Sequence, residues 1–192
     1  MTYASSNIIP SKTSSVSCRE ILPISHLTQQ DLPAIQDHLL TLSDADRNQR
    51  FHTNLSDYAI LQYTNGLDFS RMVFTGSIEK ETGRIAALAE AHFDKSHMPT
   101  SAEISISVLP EYRGTGMSAD LLGYLLYTLR ICGIEKVEFF YQPHNRSMAK
   151  LLRAFRERHI LSSGYTVVQM THNDVINFIG QKNDVFGFNL AA

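Results

Sequence analysis

The sequence has few of the residues that mark secreted or metal-binding proteins. It contains two cysteines, Cys18 and Cys132, and no tryptophan in 192 residues. The two cysteines lie far apart, and neither belongs to a CxxC pair. This usage indicates reduced thiols rather than a disulfide framework or a zinc site. We therefore expect a cytoplasmic protein that binds no metal.

Charge and long apolar runs are also scarce. The formal net charge is -2 at pH 7, which gives no large field to attract nucleic acid or a membrane surface. The first residues contain no apolar signal-peptide core, and no later run approaches the roughly 18 apolar residues of a membrane helix. The sequence therefore predicts neither a nucleic-acid partner nor a membrane partner.

The remaining composition is that of a globular domain. Hydrophobic residues make up 43% of the chain, and the length suits one compact core. Residues 1–18 are rich in serine and threonine and show no apolar periodicity. We expect residues 1–18 to form a flexible arm and residues 19–192 to form a single domain.

Helix and strand patterns alternate along this domain. Thr28, Ser43 and Ser56 are candidate N-caps of three helices that follow a short edge strand at 20–24. Two strands at 72–78 and 84–93 flank a turn, which predicts a hairpin. Further strands are predicted at 102–108, 136–141 and 165–170, with one helix after Tyr112 and another after Asn145. The order predicts a mixed α/β fold whose first strands are antiparallel.

A glycine-rich turn joins the strand at 102–108 to the following helix. Its sequence is Arg113-Gly114-Thr115-Gly116-Met117-Ser118. The first N–H groups of a helix lack internal partners and lie at the positive end of its dipole, so they bind phosphate oxygens. Glycine allows a ligand to approach the backbone, and Arg113 can add a charge-assisted contact. These six residues are therefore a predicted phosphate site.

The same glycines also fit a relaxed dinucleotide-binding pattern. Gly114, Gly116 and Ala119 have the required spacing, and Glu138 lies about 20 residues further on. In that motif the first glycine closes the strand itself and opens a parallel βαβ series. Here four residues, including Pro110, separate the strand from Arg113, and the preceding strands read as an antiparallel meander. The nicotinamide interpretation is therefore the weaker one.

The turn resembles the cofactor motif of the GNAT superfamily of N-acetyltransferases. Arg113, Gly116 and Ser118 occupy its three places, with serine where the family has glycine or alanine. The stretch 145–151 resembles the family signature Asn-x-x-Met-x-x-Leu. Residues 42–56 and the pair Ala102-Glu103 are similar to the bacterial protein lysine acetyltransferases called Pat. The resemblance covers roughly residues 19–170.

The resemblance implies a curved, mainly antiparallel sheet with splayed central strands and helices on both faces. It implies that acetyl-coenzyme A is bound at the turn and that an amine attacks its thioester directly. Lysine has a pKa of about 10.4, so a base is needed. Glu103 stands where Pat-like enzymes place that base. Backbone groups around Ser107, Val108 and Leu109 are expected to pair with pantetheine, and Asn145 to contact the pantetheine arm or cap its helix.

The leading prediction is acetyl transfer to a primary amine, with a protein lysine favoured over a small amine by the Pat-like features. The family commonly protonates the departing thiolate with a tyrosine, and Leu152 occupies its place. That replacement leaves open a catalytically weak sensor or interaction module that binds acyl-coenzyme A. An exposed edge in the final strands would allow two subunits to pair as a homodimer.

Overall fold

The computed structural model describes residues 23–94, 97–153, 155, 158–161 and 165–180. Seven strands form one sheet in the order β1-β2-β3-β4-β5-β7-β6. The strands are β1 Ile24–Leu27, β2 Met72–Ile78, β3 Ile85–Phe93, β4 Ser101–Val108, β5 Lys136–Tyr141, β6 Arg158–Ile160 and β7 Thr166–Met170. The helices are α1 Leu32–Thr41, α2 Asp44–Phe51, α3 Asp57–Asn65, α4 Met117–Ile131, α5 Arg146–Leu151 and α6 His172–Gly180. The predicted arm and residues 20–22 of the edge strand predicted at 20–24 lie outside the described residues, and the first described strand begins at Ile24.

The centre of the sheet opens between β4 and β5. Among the described strands this is the only parallel pair. It holds from Ser101 opposite Lys136 to Glu103 opposite Glu138, whereas β4 continues to Val108 along β3. The upper half of β4 therefore has no partner strand on the β5 side. The predicted mixed, mainly antiparallel sheet with splayed central strands is confirmed.

Helices cover both faces of this sheet. The long helix α4 packs on β2, β3 and β4, and α6 packs on α4. On the other face α1 packs on β3 and α3, and α2 reaches β4. The apolar side of α4 is fully buried through Leu121, Leu122, Leu125, Leu126 and Leu129. Each such side chain stabilises the fold by about 1.5–3 kcal/mol relative to exposure.

The three predicted N-caps are confirmed. Thr28 closes a capping box with Asp31 at the turn that leads into α1. The Ser43 hydroxyl accepts the Asp46 N–H at 3.2 Å, and the Ser56 hydroxyl accepts the Ala59 N–H at 3.3 Å. Each cap satisfies a backbone donor that the helix itself leaves free.

Arg47, in the middle of the Pat-like stretch, holds the corner between the first three helices. Its side chain is buried and donates to the carbonyls of Leu40, Leu42 and Leu55 at 2.7–3.0 Å. It also forms a 2.7 Å ion pair with Asp57. Two of these bonds satisfy carbonyls at the end of α1, which the helix leaves without partners. The corner directs α2 toward the open part of the sheet.

The C-terminal part differs from the sequence prediction. Apolar residues at 148, 151, 152 and 155 predict a helix that includes Phe155, but α5 ends at Leu151. Strand β6 and helix α6 were not predicted. A three-residue strand is too short to show a period of two residues, so its sequence carries no strand signal. The sequence of β4 alternates apolar and polar residues, which predicts one buried face, but Ile106 and Val108 are only half-buried. Both residues border the opening beside β5.

Gly76 of β2 lies between Ser25 of β1 and Leu88 of β3 in the sheet. A Cβ at Gly76 would lie 2.8 Å from Leu27 Cδ1 and 3.2 Å from the Ala87 carbonyl oxygen. We expect Gly76→Ala to lower the free energy of unfolding by about 1–3 kcal/mol, as overpacking does. Urea denaturation measures the change. Gly66→Ala, whose Cβ would have ordinary contacts at 3.5 Å, is the control, and equal stability losses in both variants would contradict the prediction.

Candidate active site

A cavity of about 530 Å³ opens where β4 and β5 separate. It connects the glycine turn at one end with the C-terminal end of α2 at the other. Its walls include Asp46, Arg50, His52, Tyr63, His92, residues 103–108, Arg113, Gly114, Ser118, Phe140, Tyr141, Asn145 and Met148. The structure therefore brings the predicted phosphate turn, the predicted base Glu103 and Asn145 to one cavity.

The hydrogen-bond ladder decides which backbone groups of β4 face this cavity. In an antiparallel pair, alternate residues turn both N–H and C=O toward the same neighbour. The Leu109 N–H donates to Ala86 at 3.0 Å, so Ser107 and Leu109 turn toward β3. Ile106 and Val108 turn toward the opening. Backbone bonds to a ligand are therefore expected from Ile106 and Val108, whereas the backbone groups of Ser107 and Leu109, which the resemblance also suggested, turn toward β3.

The glycine turn presents free backbone donors. Gly114 and Gly116 have φ of 78° and 92°, in the left-handed region that favours glycine. Gly116 is the N-cap of α4. Within the described part of the chain, no hydrogen bond uses the N–H of Gly114, Thr115, Gly116 or Ser118. Together with the α4 dipole, these donors form an anion site.

Two other residues of the turn have structural roles. Met117 is buried in the core. The Thr115 hydroxyl donates to the Tyr112 carbonyl at 2.8 Å and lies 3.4 Å from the Met117 N–H. Both contacts hold the turn in the shape that exposes its neighbouring N–H groups.

Arg113 is bound to the protein at both ends of its guanidinium. Its Nε donates to the Val108 carbonyl at 3.0 Å, and Nη2 pairs with Asp46 at 2.7 Å. Burial raises the pKa of Asp46, but hydrogen bonds from Ser43 and Arg113 outweigh it and hold the pKa below its usual value. Arg113 therefore links α2 to the glycine turn, a contact that the sequence did not predict.

Ser107 meets a buried histidine of α1. His38 Nδ1 lies 2.7 Å from the Ile85 carbonyl and Nε2 lies 2.8 Å from the Ser107 hydroxyl. A carbonyl only accepts, so Nδ1 carries the proton and the Ser107 hydroxyl donates to Nε2. Burial lowers the pKa of His38 to about 4. His38 is thus neutral near pH 7 and fully hydrogen-bonded.

A buried ion pair underlies the α2 end of the cavity. Arg50 Nη2 lies 2.6 Å from Glu90 Oε2, and the Tyr63 hydroxyl donates to the same oxygen at 2.5 Å. His92 Nε2 lies 3.3 Å from it. Glu90 is fully buried, which raises its pKa, but the Arg50 charge outweighs burial and the pKa is lowered to about 2. Glu90 is therefore ionised and held by Arg50.

Glu103 differs from the other carboxylates near the cavity. It is exposed and borders the cavity, and it has no hydrogen-bond or ion-pair partner among the described residues. Glu138, opposite it on β5, is paired with Lys136 at 2.8 Å and accepts from Gln169. The carboxylate of Glu103 is thus available to a ligand.

Asn145 has one of its two predicted roles in this structure. Its side chain is buried, borders the cavity and accepts the Met148 N–H at 3.0 Å, so it caps α5. Leu152 is fully buried in the core. Tyr141 borders the cavity, close to the end of β5.

The family is decided by the sequence match. A family model described as the acetyltransferase (GNAT) family matches residues 36–156, which is more than half of the chain. The chain belongs to the GNAT acetyltransferase family. It is therefore an acyltransferase, and the family predicted from the glycine turn is confirmed. No curated protein matches the sequence significantly.

Solved structures show the same GNAT fold at low sequence identity. The GNAT domain of S. lividans PAT aligns with a TM-score of 0.65 and 18% identity over 77% of this chain and 89% of that domain. Spermidine N-acetyltransferase from Vibrio cholerae, in complex with CoA and spermine, has a TM-score of 0.61 and 16% identity, over 81% and 98% of the two chains. Ribosomal-protein-alanine N-acetyltransferase from Brucella melitensis has a TM-score of 0.58 and 20% identity, over 78% and 99%.

The GNAT site fits acetyl-coenzyme A as cosubstrate, which the family and the coenzyme A complex support. The free N–H groups of the turn suit a pyrophosphate. The unpaired edge of β4 offers donors and acceptors to the amides of pantetheine. The sequence does not indicate five further residues of the cavity wall, since their positions depend on strand register and helix packing. They are Asp46, Arg50, His52, Tyr63 and Ile106.

Two negative findings concern the described residues alone. No three His, Cys, Asp or Glu side chains of this part of the chain lie together as a metal site. No helix in it is long and apolar enough to cross a membrane. The cytoplasmic location stays a prediction.

Gly116 and Gly133 allow the anion site to be tested with a matched pair of variants. Both have positive φ, 92° and 80°, and a Cβ at either would meet nothing within 4 Å. Alanine at each should cost about 1–2 kcal/mol of backbone strain. We expect Gly116→Ala alone to weaken coenzyme A binding about tenfold or more in calorimetry, because it disturbs the donors of the turn. Equal affinities in the two variants would refute an anion site at this turn.

Proposed function

We propose that the chain transfers the acetyl group of acetyl-coenzyme A to a primary amine by direct attack in a ternary complex. Glu103 receives the proton of the amine, directly or through a water molecule. The observation that carries the proposal is an unpaired carboxylate in the cavity that begins at the donors of the glycine turn. Such a carboxylate attracts an ammonium group and can accept its proton.

The charges around the cavity support a cationic acceptor. Arg113 is paired with Asp46, and Arg50 is paired with Glu90. Among the described acidic and basic residues of the wall, other than histidines, Glu103 is left without a partner. The acceptor end is therefore negative overall, which favours a protonated amine over a carboxylate-bearing end of a substrate.

Three classes of acceptor are candidates. A protein lysine is favoured by the resemblance to Pat and by the similarity to the S. lividans domain. A polyamine and an alanine of a protein are suggested by the similarity to the spermidine and ribosomal-protein-alanine acetyltransferases. Pairing of two subunits through β6, one of the two outer strands of the described sheet, stays a proposal.

Thiol release from acetyl-coenzyme A tests the function. The assay compares a lysine peptide, spermidine and a peptide with an N-terminal alanine against a reaction without amine. Amine-dependent release with at least one acceptor supports the proposal. Coenzyme A binding in calorimetry without amine-dependent release from a panel widened to small amines and further lysine peptides would contradict it and favour a sensor. The replacement of the usual tyrosine by the buried Leu152 is the observation that keeps the sensor as the second candidate.

A further inference from the structure

His52 ends α2 at the cavity wall in an unusual backbone conformation. Its φ of 60° and ψ of 9° are left-handed, and it is the only non-glycine residue with positive φ in the described part of the chain. Histidine tolerates this region better than most residues but is still disfavoured there. Strained residues of this kind cluster at active sites, where the surrounding structure holds them.

The imidazole of His52 is free, unlike those of its neighbours. His38 is hydrogen-bonded through both ring nitrogens, and His92 contacts Glu90 and Tyr63. Neither ring nitrogen of His52 has a hydrogen-bond partner among the described residues, and Nδ1 is buried. A buried ring nitrogen without a partner is costly. Since Nδ1 is buried, Nε2 is the ring nitrogen left for a substrate in the cavity.

Three groups act on the His52 ring. Glu103 of β4 and Arg50 of α2 are the charged groups that influence it, and the Tyr165 ring packs against it edge to face at 4.7 Å. Burial lowers the pKa of His52 below its ordinary value, and Glu103 opposes the shift. His52 is therefore neutral near pH 7 and able to accept a proton.

We propose that His52 is a second catalytic residue of the transfer, whose imidazole takes the proton that Glu103 draws from the acceptor ammonium. This inference rests on the proposed amine acetylation. Over the reaction the ammonium loses two protons while a C–N bond forms and the C–S bond of the thioester breaks. His52 takes the first proton and releases it to water, and the departing sulfur takes the second.

The acidities of the groups explain why a carboxylate alone is a poor acceptor. An ammonium has a pKa of about 10.4, whereas a free carboxyl has about 4.3 and a free imidazole about 6.5. Transfer to an imidazole is less unfavourable, and a base whose pKa lies near the working pH is the more effective one. Glu103 passes the proton to His52, directly or through a water molecule, and returns to its ionised form.

The test compares His52→Asn with wild type, using N-α-acetyl-lysine amide and spermidine as acceptors. Asparagine also tolerates left-handed backbone, so the fold should be kept, and equal melting temperatures and coenzyme A affinities check this. We expect kcat to fall about 100-fold. The wild-type kcat/KM should fall as pH drops through the pKa of His52, below 6.5. This acid limb of the pH profile should be absent in His52→Asn. His26→Asn, at an exposed position on β1, is the control.

His52→Gly provides a second readout. Glycine relaxes the left-handed backbone and leaves room for free imidazole, so added imidazole should restore part of the rate in this variant but not in wild type. Retained kcat and pH profile in His52→Asn would overturn the proposal, as would a lower kcat with an unchanged acid limb and no rescue. Wild type that binds coenzyme A but acetylates neither these acceptors nor the wider panel contradicts the proposed function itself, and this inference with it.

Discussion

Glu103→Gln is expected to lower kcat by about 100- to 10,000-fold, the range for loss of a general base. Glutamine keeps the shape of the side chain but removes the charge that binds the ammonium and the site that takes its proton. The binding of coenzyme A should not change, because its donors lie at the glycine turn. Steady-state thiol release across pH, together with calorimetry, measures both quantities.

Glu138→Gln is the matched control for this variant. Glu138 lies opposite Glu103 in the β4–β5 register but is paired with Lys136, so its replacement should leave kcat within about threefold of wild type. If Glu103 and His52 share one proton transfer, the loss in the double variant will be smaller than the product of the single losses. A Glu103→Gln enzyme with wild-type kcat at every pH would exclude Glu103 as the base.

Arg50→Met should destabilise the fold by about 3–5 kcal/mol, because it leaves the fully buried Glu90 without its counter-ion. Glu90→Gln in the same chain removes the stranded charge and keeps hydrogen-bonding atoms for Tyr63 and His92. The double variant should therefore recover most of the loss. Urea denaturation of wild type, both single variants and the double variant gives the coupling energy.

The pH dependence of this loss has a definite sign. In wild type the Glu90 pKa is lowered to about 2, so its contribution to stability is complete above the unfolded value of about 4.3 and is lost as pH falls toward 2. Without Arg50, burial raises that pKa, and stability should then increase as pH falls. Arg84→Met removes the exposed pair with Glu111 at 3.5 Å and should cost under about 1 kcal/mol. A loss of stability in Arg50→Met as small as that in Arg84→Met would refute the prediction.

Local features were read correctly from the sequence. The caps Thr28, Ser43 and Ser56, the strands of the hairpin and the turn before α4 all depend on a few adjacent residues. The period of two residues in β4 likewise places Glu103 on its polar side. Features that need a partner elsewhere were missed: β6 forms three residues of ladder with β7, and its sequence has no pattern of its own.

The sequence by itself determined the family, the glycine turn and the residue types able to bind a phosphate or accept a proton. These follow from spacing within one strand and one helix end, where the backbone sets the geometry. The tertiary structure alone decided which β4 backbone groups face the opening, that Arg113 meets Asp46 67 positions away, and that Arg50 meets Glu90. Such contacts depend on strand register and on the placement of α2 over the sheet. Those follow from the packing of the whole core rather than from any local pattern.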